Sequence, residues 1–489
     1  MKNFSIEAHT VGKLMLLIGL IVLFPLIVLT AYPEEMRYAS CFLIPAFLSI
    51  ASASILILFK KHRAPAYLSR RDSAGYSGLI VLFTWGWGVV IGAAPFFISG
   101  QLSAVQSVFE AVSGFTTTGL SVMDVSKTPA IFLFHRSFMQ YCGGLGFIMM
   151  MIFFAANRHS TILYRAEGHP DKIEATIRKT AASIVAIYLA SLAAGTILYR
   201  LAGMSFFDGI NHAMCSLSTG GFSTKLDSIG AFHSLPVEFI TIALMLIGTT
   251  NFAALLLLAR GNIRSFFKIS EVRFLILLLA VAIPVVAFSL SSELGMGLSE
   301  GFRRASVDLI SALSTTGYST MSYSHWPDLA VAMLLLLMLI GGGIGSTAGG
   351  MKLERIYLLF RFVKTTIRRK LNTRNHMFAD TYVRAQGDVS IDEALREDTT
   401  SFIALYLSVF TLGSLLLVAS SGASLTEAMF EFASSLGTVG LSMGVTSPSA
   451  SNLTLFIEIA GMLLGRLELF IVMIGLSFGW KQIRRRLRR

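Results

Sequence analysis

The chain has 489 residues, 54% of them hydrophobic and only 14% charged, with a mean hydropathy of +0.69. Soluble globular proteins carry about 25% charged residues, so an ordinary cytosolic enzyme is excluded. The net charge of +12 would suit a nucleic-acid binder, but the placement of the basic residues makes it a topology signal instead.

Apolar runs of roughly 20 residues, the length that crosses a hydrocarbon core, are expected to span the membrane at 13–30, 38–59, 77–99, 130–155, 181–201, 236–259, 273–291, 328–351, 400–420 and 452–478. The first run lacks a small-residue cleavage site and is followed at once by a second, so it reads as a span and not a cleavable leader. Cys41, Cys142 and Cys215 lie far apart among apolar or small residues, which excludes a disulfide framework and a CxxC-type metal site. The segments 60–71, 156–180, 259–273, 352–398 and 480–489, with Lys2 and Lys13, hold 32 of the 40 Lys and Arg residues. These segments and both termini are therefore expected on the cytoplasmic side. Arg368-Arg369-Lys370 and Arg484-Arg485-Arg486 read as topology and lipid-headgroup signals; no nucleic-acid role is expected. Segment 352–398 is too short for a domain with its own core.

Between the spans, on the expected outer side, one pattern occurs four times: Phe115-Thr-Thr-Thr-Gly-Leu-Ser121, Leu217-Ser-Thr-Gly-Gly-Phe-Ser223, Leu313-Ser-Thr-Thr-Gly-Tyr-Ser319 and Leu436-Gly-Thr-Val-Gly-Leu-Ser442. Each copy follows a span and a half-length amphipathic stretch and precedes another span. Five residues before the opening apolar residue stand Glu110, His212, Asp308 and Glu431. Backbone that leaves the helix at membrane depth must be buried in protein or line water, because unpaired N–H and C=O groups cost several kcal/mol each. Glycine takes positive φ without a Cβ penalty and turns successive carbonyls to one side. Four such loops on a common axis form a ring of oxygens that replaces the hydration shell of a monovalent cation. The expected filter residues are Thr117, Thr118, Gly119; Thr219, Gly220, Gly221; Thr315, Thr316, Gly317; and Thr438, Val439, Gly440. Glu110, Asp308 and Glu431 either attract cations at the mouth or hydrogen-bond the filter backbone from behind, and the second is favoured.

The run Gly341, Gly342, Gly343, Ile344, Gly345, Ser346, Thr347, Ala348, Gly349, Gly350 holds six glycines in ten residues. Close helix packing needs fewer, and each mid-helix glycine costs up to about 1 kcal/mol against alanine, so this stretch is expected to unwind. An intramembrane loop below the filter, obstructing the path until it moves, is the expected role. The run lacks a following Lys-Ser/Thr pair and is not a nucleotide-binding loop, so no bound organic cofactor is expected. Lys352 reads as a cytoplasmic-end charge. Arg466 sits about midway along the last span, roughly 18 Å from its end at 1.5 Å per residue, too far to snorkel out. Arg466 is expected to face the pore beneath the filter and bind the glycine loop as an electrostatic barrier; the alternative is a structural pair with Glu468 or Glu458.

On these motifs the chain resembles the Trk/Ktr/HKT superfamily of potassium transporters, and within it the bacterial TrkH/TrkG branch. The resemblance implies an all-α polytopic membrane protein with about ten transmembrane helices and four re-entrant pore half-helices in pseudo-fourfold arrangement around one pore. It implies an N-terminal helix pair (1–71), pore repeats at 72–157, 158–262, 263–371 and 399–489, and a cytoplasmic segment at 372–398. It further implies potassium as the ion, glycine 341–350 as a gating loop, a homodimer, a cytoplasmic TrkA-type nucleotide-binding ring and a bacterial inner membrane. Glycine at all four filter positions goes with potassium. Only one glycine stands where the full channel signature Thr-Val-Gly-Tyr-Gly has two, which implies fewer ion sites. The competing readings are a Na⁺- or H⁺-coupled symporter, a poorly selective K⁺/Na⁺ channel and, remotely, an intramembrane hydrolase, for which His135 and His212 lack an activating partner.

Overall fold

The structure is a computed structural model that describes residues 2–58, 70–146, 177–371 and 380–487. The basic loop up to residue 69, most of 156–180 and the second half of the span expected at 130–155 lie outside the described residues. The chain is predominantly helical, and one order of elements recurs four times: a long apolar helix, a short pore helix, an irregular loop and a second helix.

The outer pair comes first. Lys2–Leu23 runs on through 3₁₀ turns at Phe24–Thr30 and Pro33–Tyr38 into Ala39–Leu58. The pair is tied to the first repeat by Glu35, whose carboxylate accepts from the backbone N–H groups of Ala130 (2.7 Å) and Ile131 (2.8 Å). Pro129 offers no side-chain cap there, so a carboxylate from a distant segment satisfies the free N–H groups and the positive helix end.

The long helices Arg70–Ile98, Ile177–Leu201, Ser270–Leu294 and Glu393–Ser421 each open a repeat. The pore helices are Ala104–Phe115, Phe206–Leu217, Leu298–Leu313 and Leu425–Gly437, of 12, 12, 16 and 13 residues. At 1.5 Å per residue they reach about 18–24 Å, short of the ~30 Å hydrocarbon core. Their starts are written locally: Ser103 with Gln106 and Ser424 with Glu427 form capping boxes, and Ser205 accepts from the Asp208 N–H.

Three expected spans are corrected. The run 236–259 is two helices, Leu235–Thr249 and Phe252–Ala259, bent by 115°. At that break Asn251 turns to cap the second helix, accepting from the Ala253 N–H at 2.7 Å. The run 328–351 is helical only over Asp328–Ile340; Gly341 at φ +71° ends it, and the next helix, Leu353–Leu371, is amphipathic. The run 452–478 breaks after Arg466, where Glu468 takes φ +56° and the next helix leaves at 103°. Arg466 therefore ends a helix and does not lie midway along an unbroken one. Among the described residues six helices are long and apolar enough to cross a membrane, or eight if each bent pair is one span.

Part of the segment at 372–398 also holds structure that its charge mixture hides. Strands β1 (Thr381–Arg384) and β2 (Gly387–Ser390) pair antiparallel, with Tyr382 opposite Val389. Tyr382 packs with Leu358 and Phe362 of the amphipathic helix. The three cysteines are buried and unpaired.

Helices Arg70–Ile98 and Leu469–Leu487 cross where a Cβ on Gly475 would lie 2.8 Å from Leu82 and 3.1 Å from the Gly78 backbone. Gly475→Leu should lower the melting midpoint in detergent by overpacking worth about 1–3 kcal/mol. Gly86→Leu, where a Cβ meets nothing within 4 Å, should leave it unchanged.

Candidate functional site

The four motif loops meet at one place, and the fit between them is cyclic. A Cβ on Gly119 would lie 2.2 Å from the Gly220 carbonyl oxygen, and one on Gly221 1.9 Å from that of Thr316. A Cβ on Gly317 would lie 2.1 Å from the Val439 oxygen, and one on Gly440 2.3 Å from that of Thr118. The carbonyl before each motif glycine thus rests against the motif glycine of the preceding repeat, and the fourth contact closes on the first. The backbone repeats as well: Thr117, Thr219, Thr315 and Thr438 have φ of 51° to 56°, and the glycines 74° to 97°. The residue between each pair keeps an ordinary φ, so its carbonyl is set by alternating backbone hand. In all four loops this middle residue donates its N–H to a pore-helix carbonyl five residues back, at 2.8–2.9 Å (Ser113, Cys215, Ser311, Ser434). Ser113 and Ser434 also accept from the N–H of Gly119 (3.0 Å) and Gly440 (2.9 Å).

The residues in the equivalent pore-helix slot brace the chain just after the ring. Glu110 accepts from the Ser121 hydroxyl (2.9 Å) and the Val122 N–H (3.2 Å). Glu431 accepts from the Ser442 hydroxyl (2.7 Å), the Met443 N–H (3.0 Å) and the Thr446 N–H (2.9 Å). His212 holds the Ser223 hydroxyl (3.0 Å) through Nε2 while Nδ1 donates to the Asp208 carbonyl (2.8 Å). Each partner hydroxyl is eleven residues on, the closing serine of the motif. Asp308, one methylene shorter, bonds Thr320 instead of Ser319 and accepts from the Tyr323 hydroxyl at 2.6 Å. All four slots are fully buried.

On one side of the ring a cavity of about 500 Å³ is lined by Gly119, Gly221, Gly317 and Gly440. On the other lies the glycine-rich loop. Thr219 Oγ1 is 3.1 Å from Thr347 Oγ1, and Thr315 Oγ1 accepts from the Gly349 N–H at 2.8 Å. A Cβ on Gly349 would lie 2.1 Å from Thr438 Oγ1. Three of the four left-handed filter threonines therefore touch the loop. Gly341 and Gly350 pack on each other at its neck, each at positive φ, while Gly342 meets Thr249 and Ala348. Ser346 donates to the Gly343 carbonyl at 2.7 Å. Gly345 O accepts from the Phe252 N–H (3.1 Å), and Ile344 O accepts from Asn251 Nδ2 (2.6 Å). The break in the second-repeat helix is the seat of the loop.

Arg466 reaches the same loop, donating to the Thr347 carbonyl (2.7 Å) and to those of Gly143 (2.5 Å) and Gly144 (3.2 Å). Of the alternative partners, Glu468 pairs with Arg355 at 2.8 Å, and Glu458 accepts from the Thr446 hydroxyl at 3.0 Å. Lys352 corrects the sequence reading. It is no cytoplasmic-end charge; it sits at φ +81°, donates Nζ to the Ala348 carbonyl, and shares a small cavity with Gly345, Gly349 and Arg466.

Sequence reasoning missed three residues. Gln140 fills the space left by the absent side chain of Gly220, donating to its carbonyl (2.5 Å) and accepting from the Phe222 N–H (3.1 Å). Arg136 pairs with Glu110 at 2.5 Å and lies over the Phe222 ring, 4.0 Å from its centroid. Glu271 accepts from the Ile344 N–H at 2.9 Å. A polar residue within an apolar span was the available signal for the first two. His135 Nε2 lies 3.0 Å from the Gly92 carbonyl, with its ring against Phe42 and Phe96.

A family model described as TrkH, cation transport protein, matches residues 46–479. The Trk system potassium uptake protein TrkG of Escherichia coli K12 is 30% identical over 494 residues, covering 98% of this chain and 99% of that protein. TrkH of Halomonas elongata is 29% identical over 476 residues, covering 95% of this chain and 96% of the relative. The crystal structure of the potassium transporter TrkH from Vibrio parahaemolyticus superimposes with a TM-score of 0.84 at 28% identity, over 98% of this chain and all of that one.

The Arg136–Glu110 pair is 2% and 0% exposed. Removing one member of such a pair strands a buried charge at a cost of about 3–5 kcal/mol, whereas removing both is close to neutral. Arg136→Met should therefore sharply lower the melting midpoint in detergent, and the double variant Arg136→Met, Glu110→Gln should recover most of it.

Proposed function

The chain belongs to the TrkH family of cation transport proteins, and from that premise we propose that it takes up potassium through the ring formed by its four loops. It is a transport protein and not an enzyme. The observation that carries the reading is the closed cycle of glycine–carbonyl contacts at Gly119, Gly221, Gly317 and Gly440. A dehydrated alkali cation needs oxygens on all sides, and a cyclic backbone ring provides them without any ionised ligand. Each loop directly follows the C-terminus of a buried pore helix, where the macrodipole places about half a negative charge. Four such ends favour a cation at their meeting point. Each loop has one left-handed pair, a threonine and the motif glycine, which supports a short filter.

The driving force needs no chemistry in the chain. A monovalent cation moving inwards gains about 2.3 kcal/mol per 100 mV of inside-negative potential, close to a fiftyfold accumulation.

The loop Gly341–Gly350 is the gate in this proposal. Its contacts with Thr219, Thr315 and Thr438 support a position across the path just past the filter, and Arg466 and Lys352 latch it from the far side. Arg466 adds a fixed positive charge that opposes a passing cation until the loop moves. A cytoplasmic TrkA-type nucleotide-binding ring, a homodimer and a bacterial inner membrane with both termini cytoplasmic complete the reading. The basic segments between spans support that sidedness, and the Trk system names of the relatives support the partner.

Reversal potentials of the purified protein in asymmetric K⁺ and Na⁺ test the filter. Gly119→Ser should shift the reversal potential towards that of a non-selective pore or abolish conduction, because its side chain would displace the Gly220 carbonyl; an unchanged potential would refute the ring. Single-channel recording tests the gate: Gly349→Val, which collides with Thr438, and deletion of 345–349 should each lengthen open time. Arg466→Ala should raise conduction at normal expression.

A further inference from the structure

The glycine loop is held on one side by Glu271, and Glu271 belongs to a chain of contacts that leads out of the pore to the β-hairpin. Glu271 and Ser270 begin the first helix of the third repeat, and both are 8% exposed. Beyond them stands Glu354, 5% exposed, two residues past Lys352 at the start of the amphipathic helix. Glu271 and Glu354 line one narrow crevice with Asn251, Tyr382 and Arg384. The hairpin supplies what this acidic pair requires. Arg384 donates to both Glu354 oxygens, through Nε at 3.1 Å and through a second guanidinium nitrogen. Tyr382 donates its hydroxyl to Glu354 Oε1 at 2.8 Å, and the Val383 N–H bonds Ser270 Oγ at 3.0 Å.

We propose that the hairpin at residues 381–390 is the handle of the glycine loop, and that Arg384, by neutralising Glu354, lets Glu271 hold the Ile344 N–H. The inference rests on the reading of 341–350 as the gate and adds a positioning element to it. Two carboxylates facing each other in a nearly dry crevice repel strongly unless a cation sits between them. With the hairpin docked, Arg384 engages Glu354, and Glu271 is left to accept from the loop backbone. With the hairpin lifted, Glu354 has lost its guanidinium, Glu271 is driven off Ile344, and the loop loses its anchor on the third repeat. Lys352 is a second cation near this crevice, and its Nζ is engaged by the Ala348 carbonyl. The exposed turn at Gln386–Asp388 leaves the hairpin open to being grasped from the cytoplasmic side.

The test is single-channel recording of the full-length protein in bilayers. Arg384→Gln should raise the open-to-closed ratio about tenfold, the size expected for losing a hydrogen bond to a charged group. Adding Glu354→Gln in the same chain should return the ratio close to wild type, because the repulsion disappears with the second charge. A merely structural loss would not be rescued. Ser270→Ala, which leaves every charge in place, should raise the ratio about fivefold and covers the case in which Arg384→Gln does not assemble. The reversal potential in asymmetric K⁺ and Na⁺ should stay unchanged in all three. Wild-type gating in Arg384→Gln or Ser270→Ala, or no rescue in the double variant, overturns the proposal. If those variants are silent while Gly349→Val still alters gating, the hairpin link alone fails; if Gly349→Val is silent as well, the gate reading fails with it.

Discussion

The close approach of backbone to backbone at the centre is the constraint on which the structure depends. Four carbonyls can rest against four α-carbons only where those carbons carry no Cβ, and the gap a methyl would need is not there. Non-helical backbone at this depth survives because every loop carries its own hydrogen bonds: the middle residue to a carbonyl five back, and a hydroxyl after the ring to a buried acid or histidine, the motif serine in three loops and Thr320 in the third. The pore helices are short because they end where the loops must begin, and the long helices around them present the apolar surface that faces lipid.

Breaks elsewhere follow the same rule. The helix at Thr249–Phe252 gives up its ladder, and the Asn251 amide and the freed Phe252 N–H donate to the Ile344 and Gly345 carbonyls of the glycine loop. The helix at Arg466–Leu469 opens at Glu468, and Arg466 turns to three carbonyls from two other repeats. Each interruption faces another, so polar backbone is matched with polar backbone.

Much of this was legible in the sequence because it is local and repeated. The apolar-x-Thr-x-Gly-apolar-Ser register located the loops, the acid slot located their braces, and six glycines in ten residues located the unwound stretch. The slot held even at His212, where an imidazole does the work of a carboxylate. What escaped was either non-local or disguised by composition. Gln140 and Gly220 are 80 residues apart, and nothing in either neighbourhood points to the other. Hydropathy averages placed unbroken spans over 236–259 and 452–478, since Asn251 and Glu468 are among a few polar residues in mostly apolar runs and a window of 20 dilutes them. Lys352 was misread for a related reason: a lysine next to a basic helix resembles its neighbours until the backbone at φ +81° turns it back onto Ala348.

The amide of Gln140 makes the second repeat unlike the others. Where the remaining loops carry Thr118, Thr316 and Val439, this one carries Gly220, and a side chain borrowed from the first repeat both fills the hollow and grips the peptide oxygen. A spherical guest at the centre would meet one oxygen already leashed to a side-chain amide, with no such tether to the other three among the described residues. Lopsided stiffness of that kind lies beyond the reach of four identical subunits, which must alter all copies at once, and it is open to a single polypeptide in which each quarter drifts by itself.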